Sequence, residues 1–383
     1  MGMGKKSPQL LNGDGDESKY NKTKKKQKQE GEQEQEPLGS LPEGPLVEIL
    51  SRVPYMSLCR FKCVSKPWLA LCSDHQVRKR CPQTLAGFFY KNTRRFCNLS
   101  GRGPPMVDPF LAFLDKRYRV FFPGHCCGGL VLCKCWKSLS FKYDEYDLLV
   151  CNPATEKWIE LPHCPIESPH LAKLGFDPAD PSRFVVYALH PREFTEVTIY
   201  SSDTGRWTTV QSGWVEGTPL PGLECVFLNG TMHLMTREPS VVTVDTEGKV
   251  WREIHMPENM TESYKDISIG QSQGRLYAWC IGNLNVCQLS VWALEDYASA
   301  NWTLKHTVNI LELFGRHCRK EDEFYKMFAI HPDRNLVFLT DRKEKTISYD
   351  MDSREVHVIS TSGEFRDAQP YIPCFAELPS DGH

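Results

Sequence analysis

A short stretch of the chain concentrates sulfur and imidazole: His125, Cys126, Cys127, Cys133 and Cys135. These are zinc donors, and a structural zinc site shows two Cys-x2–4-Cys pairs or a cysteine pair with a histidine pair. Here Cys133 and Cys135 alternate along one strand-like run, and no second pair follows at a suitable spacing. The group therefore reads as packing, and no metal is expected. The histidines are scattered, and His163, His170, His190 and His233 fall near loops or strand turns with no nucleophile beside them. Neither a glycine-rich phosphate loop nor a Gly-x-Ser-x-Gly elbow is present. No catalytic set can be named, so the expected protein is not an enzyme and needs no cofactor.

Composition narrows the partners. Lys and Arg number 46 against 48 Asp and Glu, a formal net charge of −2. A general nucleic-acid binder would carry a basic surplus, so none is expected. No apolar run reaches the roughly 18–20 residues of a membrane span, and the first residues lack an apolar signal-peptide core. Sixteen cysteines in 383 residues are too few for a disulfide scaffold. Reduced thiols in the cytoplasm, the nucleus or both are the expectation.

The elements change along the chain. Residues 1–38 hold eight lysines and seven acidic residues and read as a disordered tail. Within it Lys24–Lys28 is a basic run of the kind that nuclear import uses, although a solvated charge run explains it as well. In residues 39–80, Leu46, Val47, Ile49, Leu50 and Val53 mark one face of a short helix. Pro45 fits its first turn and Pro54 ends it. Leu58, Phe61 and Val64 mark a second apolar run, and Ser65 can cap a third helix that carries Trp68, Leu69, Leu71 and Cys72. Three short helices make a marginal core, and their apolar side chains outnumber what it can hide. The surplus face predicts protein docking.

Leu41-Pro42-Glu43-Gly44-Pro45-Leu46-Val47-Glu48-Ile49-Leu50-Ser51-Arg52-Val53-Pro54 resembles the opening of an F-box, and Ser57 to Trp68 resembles its second half. The resemblance implies docking to the SKP adaptor of an SCF ubiquitin ligase and, through it, to cullin and RING subunits. The docking residues it implies are Leu41, Pro42, Leu46, Ile49, Leu50, Val53, Pro54, Leu58, Phe61, Val64 and Trp68. Gly44-Pro45 and Pro67 depart from the family pattern. Both fall in helix first turns, where they would weaken docking without abolishing it.

Residues 85–378 read as β. Strand-like runs such as Leu130–Cys135, Phe184–Leu189 and Leu336–Thr340 are separated by turn chemistry at Gly128-Gly129, Asn229-Gly230 and Pro332-Asp333. Only Val308–Phe314 suggests a helix. A unit repeats: a strand, then Asp or Asn opening a tight turn, then a Trp on the returning strand. Trp158, Trp207, Trp251 and Trp302 recur every 44–51 residues, with Val356 in the last such slot. That period, at four strands per unit, is the size of a propeller blade, and the Trp is expected to fill the gap between blades. Five outer hairpins plus the strands of 85–122 predict six blades, with five or seven as alternatives. A ring must hide its edges, so Leu85–Tyr90 and Tyr371–Leu378 are expected to close it.

Cys126-Cys127-Gly128-Gly129-Leu130-Val131-Leu132 and Cys151-Asn152-Pro153-Ala154-Thr155-Glu156-Lys157-Trp158 resemble the plant F-box-associated domain, which is related to kelch repeats. The expected fold is mainly β: a β-propeller preceded by a small all-α, three-helix F-box. The expected function is substrate recognition for an SCF-type ubiquitin ligase, with the propeller binding an unknown target protein. A non-ligase propeller scaffold and a metal- or redox-dependent propeller enzyme are the alternatives.

Overall fold

The computed structural model describes residues 43–53, 55–74, 77, 80, 85–90, 96–99, 107–139, 146–166, 171–189, 195–214, 221–236, 240–257, 260, 267–282, 287–315, 325–341, 345–361, 368–375 and 378. The tail 1–38, with Lys24–Lys28, lies outside them, as do Leu41, Pro42, Pro54, His170 and His190. The chain divides into two compact units, Met1–Leu46 and Val47–His383. Of the first unit only residues 43–46 are described, in the first half of helix α1.

Three short helices come first: α1 Glu43–Leu50, α2 Tyr55–Phe61 and α3 Lys66–Ser73. Ser65 caps α3 as its sequence predicts, its Oγ accepting from Trp68 N at 3.4 Å, and Pro67 sits in the first turn. The turn between α2 and α3 brings Phe61 and Trp68 edge to face, with centroids 5.6 Å apart.

The β region forms six sheets. Strands β1 Gly87–Tyr90 and β2 Phe96–Asn98 start one that the chain finishes only near its end. Blade 1 holds β3 Val120–Cys127, β4 Leu130–Trp136, β5 Asp147–Asn152 and β6 Lys157–Glu160. Blade 2 holds β7 Leu171–Phe176, β8 Phe184–Leu189, β9 Glu196–Ser201 and β10 Arg206–Gln211. In blade 3 come β11 Pro221–Leu228, β12 Thr231–Thr236, β13 Ser240–Asp245 and β14 Trp251–His255. Blade 4 follows with β15 Ser268–Ser272, β16 Arg275–Ile281, β17 Gln288–Asp296 and β18 Asn301–Asn309, the last running into a short helix α4 Ile310–Phe314. Blade 5 is β19 Tyr325–Ile330, β20 Leu336–Asp341, β21 Thr346–Asp350 and β22 Val356–Ser360. Finally β23 Ala368–Tyr371 pairs antiparallel with β1, Gly87 opposite Tyr371, to give blade 6 the order β2-β1-β23.

The innermost strands β3, β7, β11, β15, β19 and β23 touch in sequence, and β23 returns to β3. This is a closed six-bladed propeller. Strands inside a blade are covered by neighbours on both faces, so β8 (Phe-Val-Val-Tyr-Ala-Leu) is buried throughout, whereas the outer β10 is mostly exposed. Trp207 donates its ring N–H to Pro162 O at 2.8 Å, and Trp302 to His255 O at 3.0 Å, each reaching the end of the preceding blade's outer strand. Trp251 instead bonds its own turn, and Trp214 crosses that gap by donating to Thr243 O at 3.2 Å.

Closure uses the expected first strand but a shifted partner. The paired segment is Ala368–Tyr371, ahead of most of Tyr371–Leu378, and Pro370 rather than Pro373 sits in it. The more apolar residues that follow pack beneath blade 1. Asn152 Nδ2 donates to Cys374 O at 2.7 Å. Gly129, at φ +94°, leaves room for them: a Cβ there would meet Ile372 O at 2.3 Å.

Candidate functional site

Two features carry functional potential, and the helical module is the first. Leu50, Leu58 and Cys72 are buried, whereas Ile49 is 49% exposed, Val64 60% and Leu69 48%. Leu46, Val53, Phe61 and Trp68 are half-buried. The finding corrects the expectation for Leu50 and Leu58: they lie in the interior and offer no surface to a partner. Leu69 is the apolar residue whose exposure was missed. It sits in the same helix as the half-buried Trp68. Arg80 and, behind it, Arg52 hydrogen-bond the Glu48 carboxylate and hold its pKa below the ordinary value.

The second feature is a cavity of about 300 Å³ on the propeller axis, lined by β3, β11, β15, β19 and β23. Each innermost strand has one edge with no strand beyond it, so its backbone groups need other partners. Side chains of adjoining blades supply them. Cys126 N donates to Gln369 Oε1 at 2.6 Å, and Trp279 Nε1 to Met327 O at 2.9 Å. Cys126 and Cys127 give their S–H groups to Pro370 O and Phe176 O, each at 3.4 Å. Burial pushes the Cys127 thiol up to about 12 and that of Cys126 higher still. Lys326 faces Glu224 across the cavity at 3.4 Å.

His125 spans three blades in the same way. From β3 its Nδ1 accepts the Leu174 N–H of β7 at 3.0 Å, and its Nε2 lies 3.1 Å from Cys225 Sγ on β11. The ladder slips before both residues, between Pro123 and His125 and between Pro221 and Cys225. A proline cannot donate to the ladder, and such irregularities re-aim the side chains next to them.

The sulfur and imidazole groups of 125–135 are dispersed. Cys133 and Cys135 pack in the hydrophobic core shared with Cys151, while His125 and Cys127 face the cavity. Among the described residues no three His, Cys, Asp or Glu side chains are placed to hold a metal ion. His163 is exposed beyond β6, and His233 is buried in β12 beside Thr231 O. Twelve described cysteines are free thiols. Cys287 is disulfide-bonded, against the expectation of reduced thiols throughout.

A helical module and a six-bladed propeller define the class of F-box proteins with a β-propeller domain. Residues 38–80 match the F-box domain, and residues 107–377 match the family described as F-box protein At3g26010-like, beta-propeller. The chain belongs to that family. Among curated relatives it is similar to F-box protein At5g49610 of Arabidopsis thaliana, 27% identical over 70% of this chain and 79% of the relative. It is also similar to the putative F-box/kelch-repeat protein At1g15680 of the same plant, 25% identical over 86% of each. Among solved structures, YCF48 from Cyanidioschyzon merolae aligns over 63% of this chain and 72% of that one, at 9% identity and a TM-score of 0.39.

Proposed function

We propose that this protein is the substrate-recognition subunit of an SCF-type ubiquitin ligase. Its F-box, within residues 39–80, docks an SKP-type adaptor and through it the cullin and RING subunits. Its propeller, within residues 85–378, offers loops to a target protein. The observation that carries the reading is an F-box match at 38–80 whose helices expose Ile49, Val64 and Leu69 ahead of a propeller. Each aliphatic side chain buried on docking is worth about 1.5–3 kcal/mol, set against the cost of association. The role requires no catalysis: holding a target lysine near a charged conjugating enzyme raises its effective concentration. We place the activity in the cytoplasm, the nucleus or both, where such ligases meet their targets.

The test is co-purification of the full chain with an SKP adaptor. A stable binary complex supports the proposal. Failure to bind any SKP adaptor overturns it and leaves a propeller scaffold.

A further inference from the structure

We propose that the axial cavity binds a free aromatic α-amino acid, a ligand whose two opposite charges lie side by side at one end. The inference concerns the propeller alone and does not rest on adaptor docking. At about 300 Å³ the cavity stands at the small end of ligand sites, which run from about 300 to 1,000 Å³. It has room for a single-ring molecule and none for a peptide.

Charge is confined to one part of its wall. Glu224 on β11 and Lys326 on β19 face each other there with Oε1 and Nζ 3.4 Å apart. That is longer than the roughly 2.7–2.9 Å of a tight charge-assisted hydrogen bond, and both side chains stay part-exposed. The pair presents a cation and an anion together with no net charge. A simple carboxylate would be drawn to Lys326 and repelled by Glu224, and a simple amine would meet the reverse. A zwitterion satisfies both, its carboxylate on Lys326 and its ammonium on Glu224.

The wall beyond the pair is apolar and held in place. Phe328 follows Lys326 by two residues, and its ring packs edge to face on Phe88 with centroids 5.2 Å apart. Trp279 is fixed by its bond to Met327 O, and Gly270 makes room for its ring: a Cβ there would meet that ring at 2.7 Å. With Val226 and Ile269 these side chains form a belt suited to an aromatic ring. Gln271 lies past the belt. Gln273 N donates to Pro332 O, which sets Gln271 level with Ile330, four residues from Lys326 and at most about 13 Å of strand away. Its amide both donates and accepts, so it complements a hydroxyl on the far side of the ring. Tyrosine carries zwitterion, ring and hydroxyl in that order.

The experiment titrates the full-length protein with L-tyrosine by isothermal titration calorimetry. L-Phenylalanine, tyramine and 3-(4-hydroxyphenyl)propionate are the comparisons, lacking the hydroxyl, the carboxylate and the ammonium in turn. L-Tyrosine is expected to bind with a Kd below about 100 μM, and each analogue about tenfold more weakly. Lys326→Met should weaken L-tyrosine about tenfold without weakening tyramine, and Gln271→Leu should erase the preference for tyrosine over phenylalanine. No binding of L-tyrosine at about 1 mM overturns the proposal, as does tyramine or the propionate binding as tightly as L-tyrosine. So does a Lys326→Met protein with the parent melting temperature and parental affinity for L-tyrosine, because the ligand would then sit elsewhere. If a variant does not fold, the ranking of the four ligands on the wild-type protein decides.

Discussion

Asn152 ties two distant parts of the ring together: its Oδ1 accepts Ala154 N within the first outer turn, and its Nδ2 donates to Cys374 O, 222 residues away. The side chain is fully buried. Asn152→Ala should therefore remove a buried hydrogen bond as well as open the turn. The expected loss is about 1–3 kcal/mol. Chemical denaturation would show it as a lower midpoint at unchanged slope, and an unchanged midpoint would count against the tie.

Truncation after Arg366 removes β23, the innermost strand of blade 6, bares the edge of β1 and takes away the neighbour that β3 and β19 touch. Unpaired edges of that kind invite aggregation. The truncated protein should be insoluble, or melt many degrees lower, by differential scanning calorimetry. A soluble monomer with the parent melting temperature would place closure elsewhere.

Docking and folding of the helical module separate by variant. Val64→Asp with Leu69→Asp changes exposed side chains and should abolish adaptor binding while leaving melting unaffected. Leu50→Ala with Leu58→Ala empties buried positions, each at a cost of about 2–5 kcal/mol. That pair should lose binding together with the module's protease resistance. Adaptor binding by the aspartate pair at parental affinity would remove this surface from the interface.

The outer turn of each of blades 1–5 ends in a left-handed residue: Glu156, Gly205, Gly248, Ala300 and Arg354 have φ from +50° to +70°. Glycine occupies two of these positions at no steric cost, and alanine at 300 does not enjoy that freedom. Ala300→Gly should stabilise the protein by about 0.5–1 kcal/mol, the strain relief outweighing the added freedom of the unfolded chain. A lower melting temperature for this variant would contradict the assignment.

Burial lowers the His233 pKa from 6.5 to about 4. Between these values the unfolded chain binds a proton that the folded one refuses, so stability rises with pH from 4 to 6.5 and is flat above. The full effect is about 3 kcal/mol. His233→Phe should shrink the stability difference between pH 4.5 and pH 7 in denaturant titrations. An undiminished difference would assign that limb to other groups.

The repeat was legible because its parts are local. Asn229-Gly230 forms the β11–β12 turn, with both residues at positive φ, and Trp207 and Trp302 sit in their expected slots. Six blades follow from that periodicity. The closing strand was displaced because an innermost strand faces the axial cavity: Ala368-Gln369-Pro370-Tyr371 looks unlike a core strand, and the apolar residues after it drew the assignment instead. Helical periodicity marked an apolar face at Leu46–Val53 but not how much of it the fold itself consumes, so Leu50 and Leu58 were misplaced. The His125–Cys225 pair was invisible for a topological reason. One hundred residues and an intervening blade separate its members, and no local spacing encodes a meeting across a ring.

The pairing of Tyr90 with Ala368 also sets a timetable. During synthesis β1 emerges early and its partner emerges only after five complete blades. At roughly 5–20 residues per second the delay is on the order of tens of seconds. Throughout it Phe88 and Phe89 belong to a strand with one unfilled edge. Contacts this remote in sequence also form slowly in an isolated chain. The nascent protein therefore passes through a long-lived open ring, and a chaperone that shields the β1 edge would govern how many chains ever close.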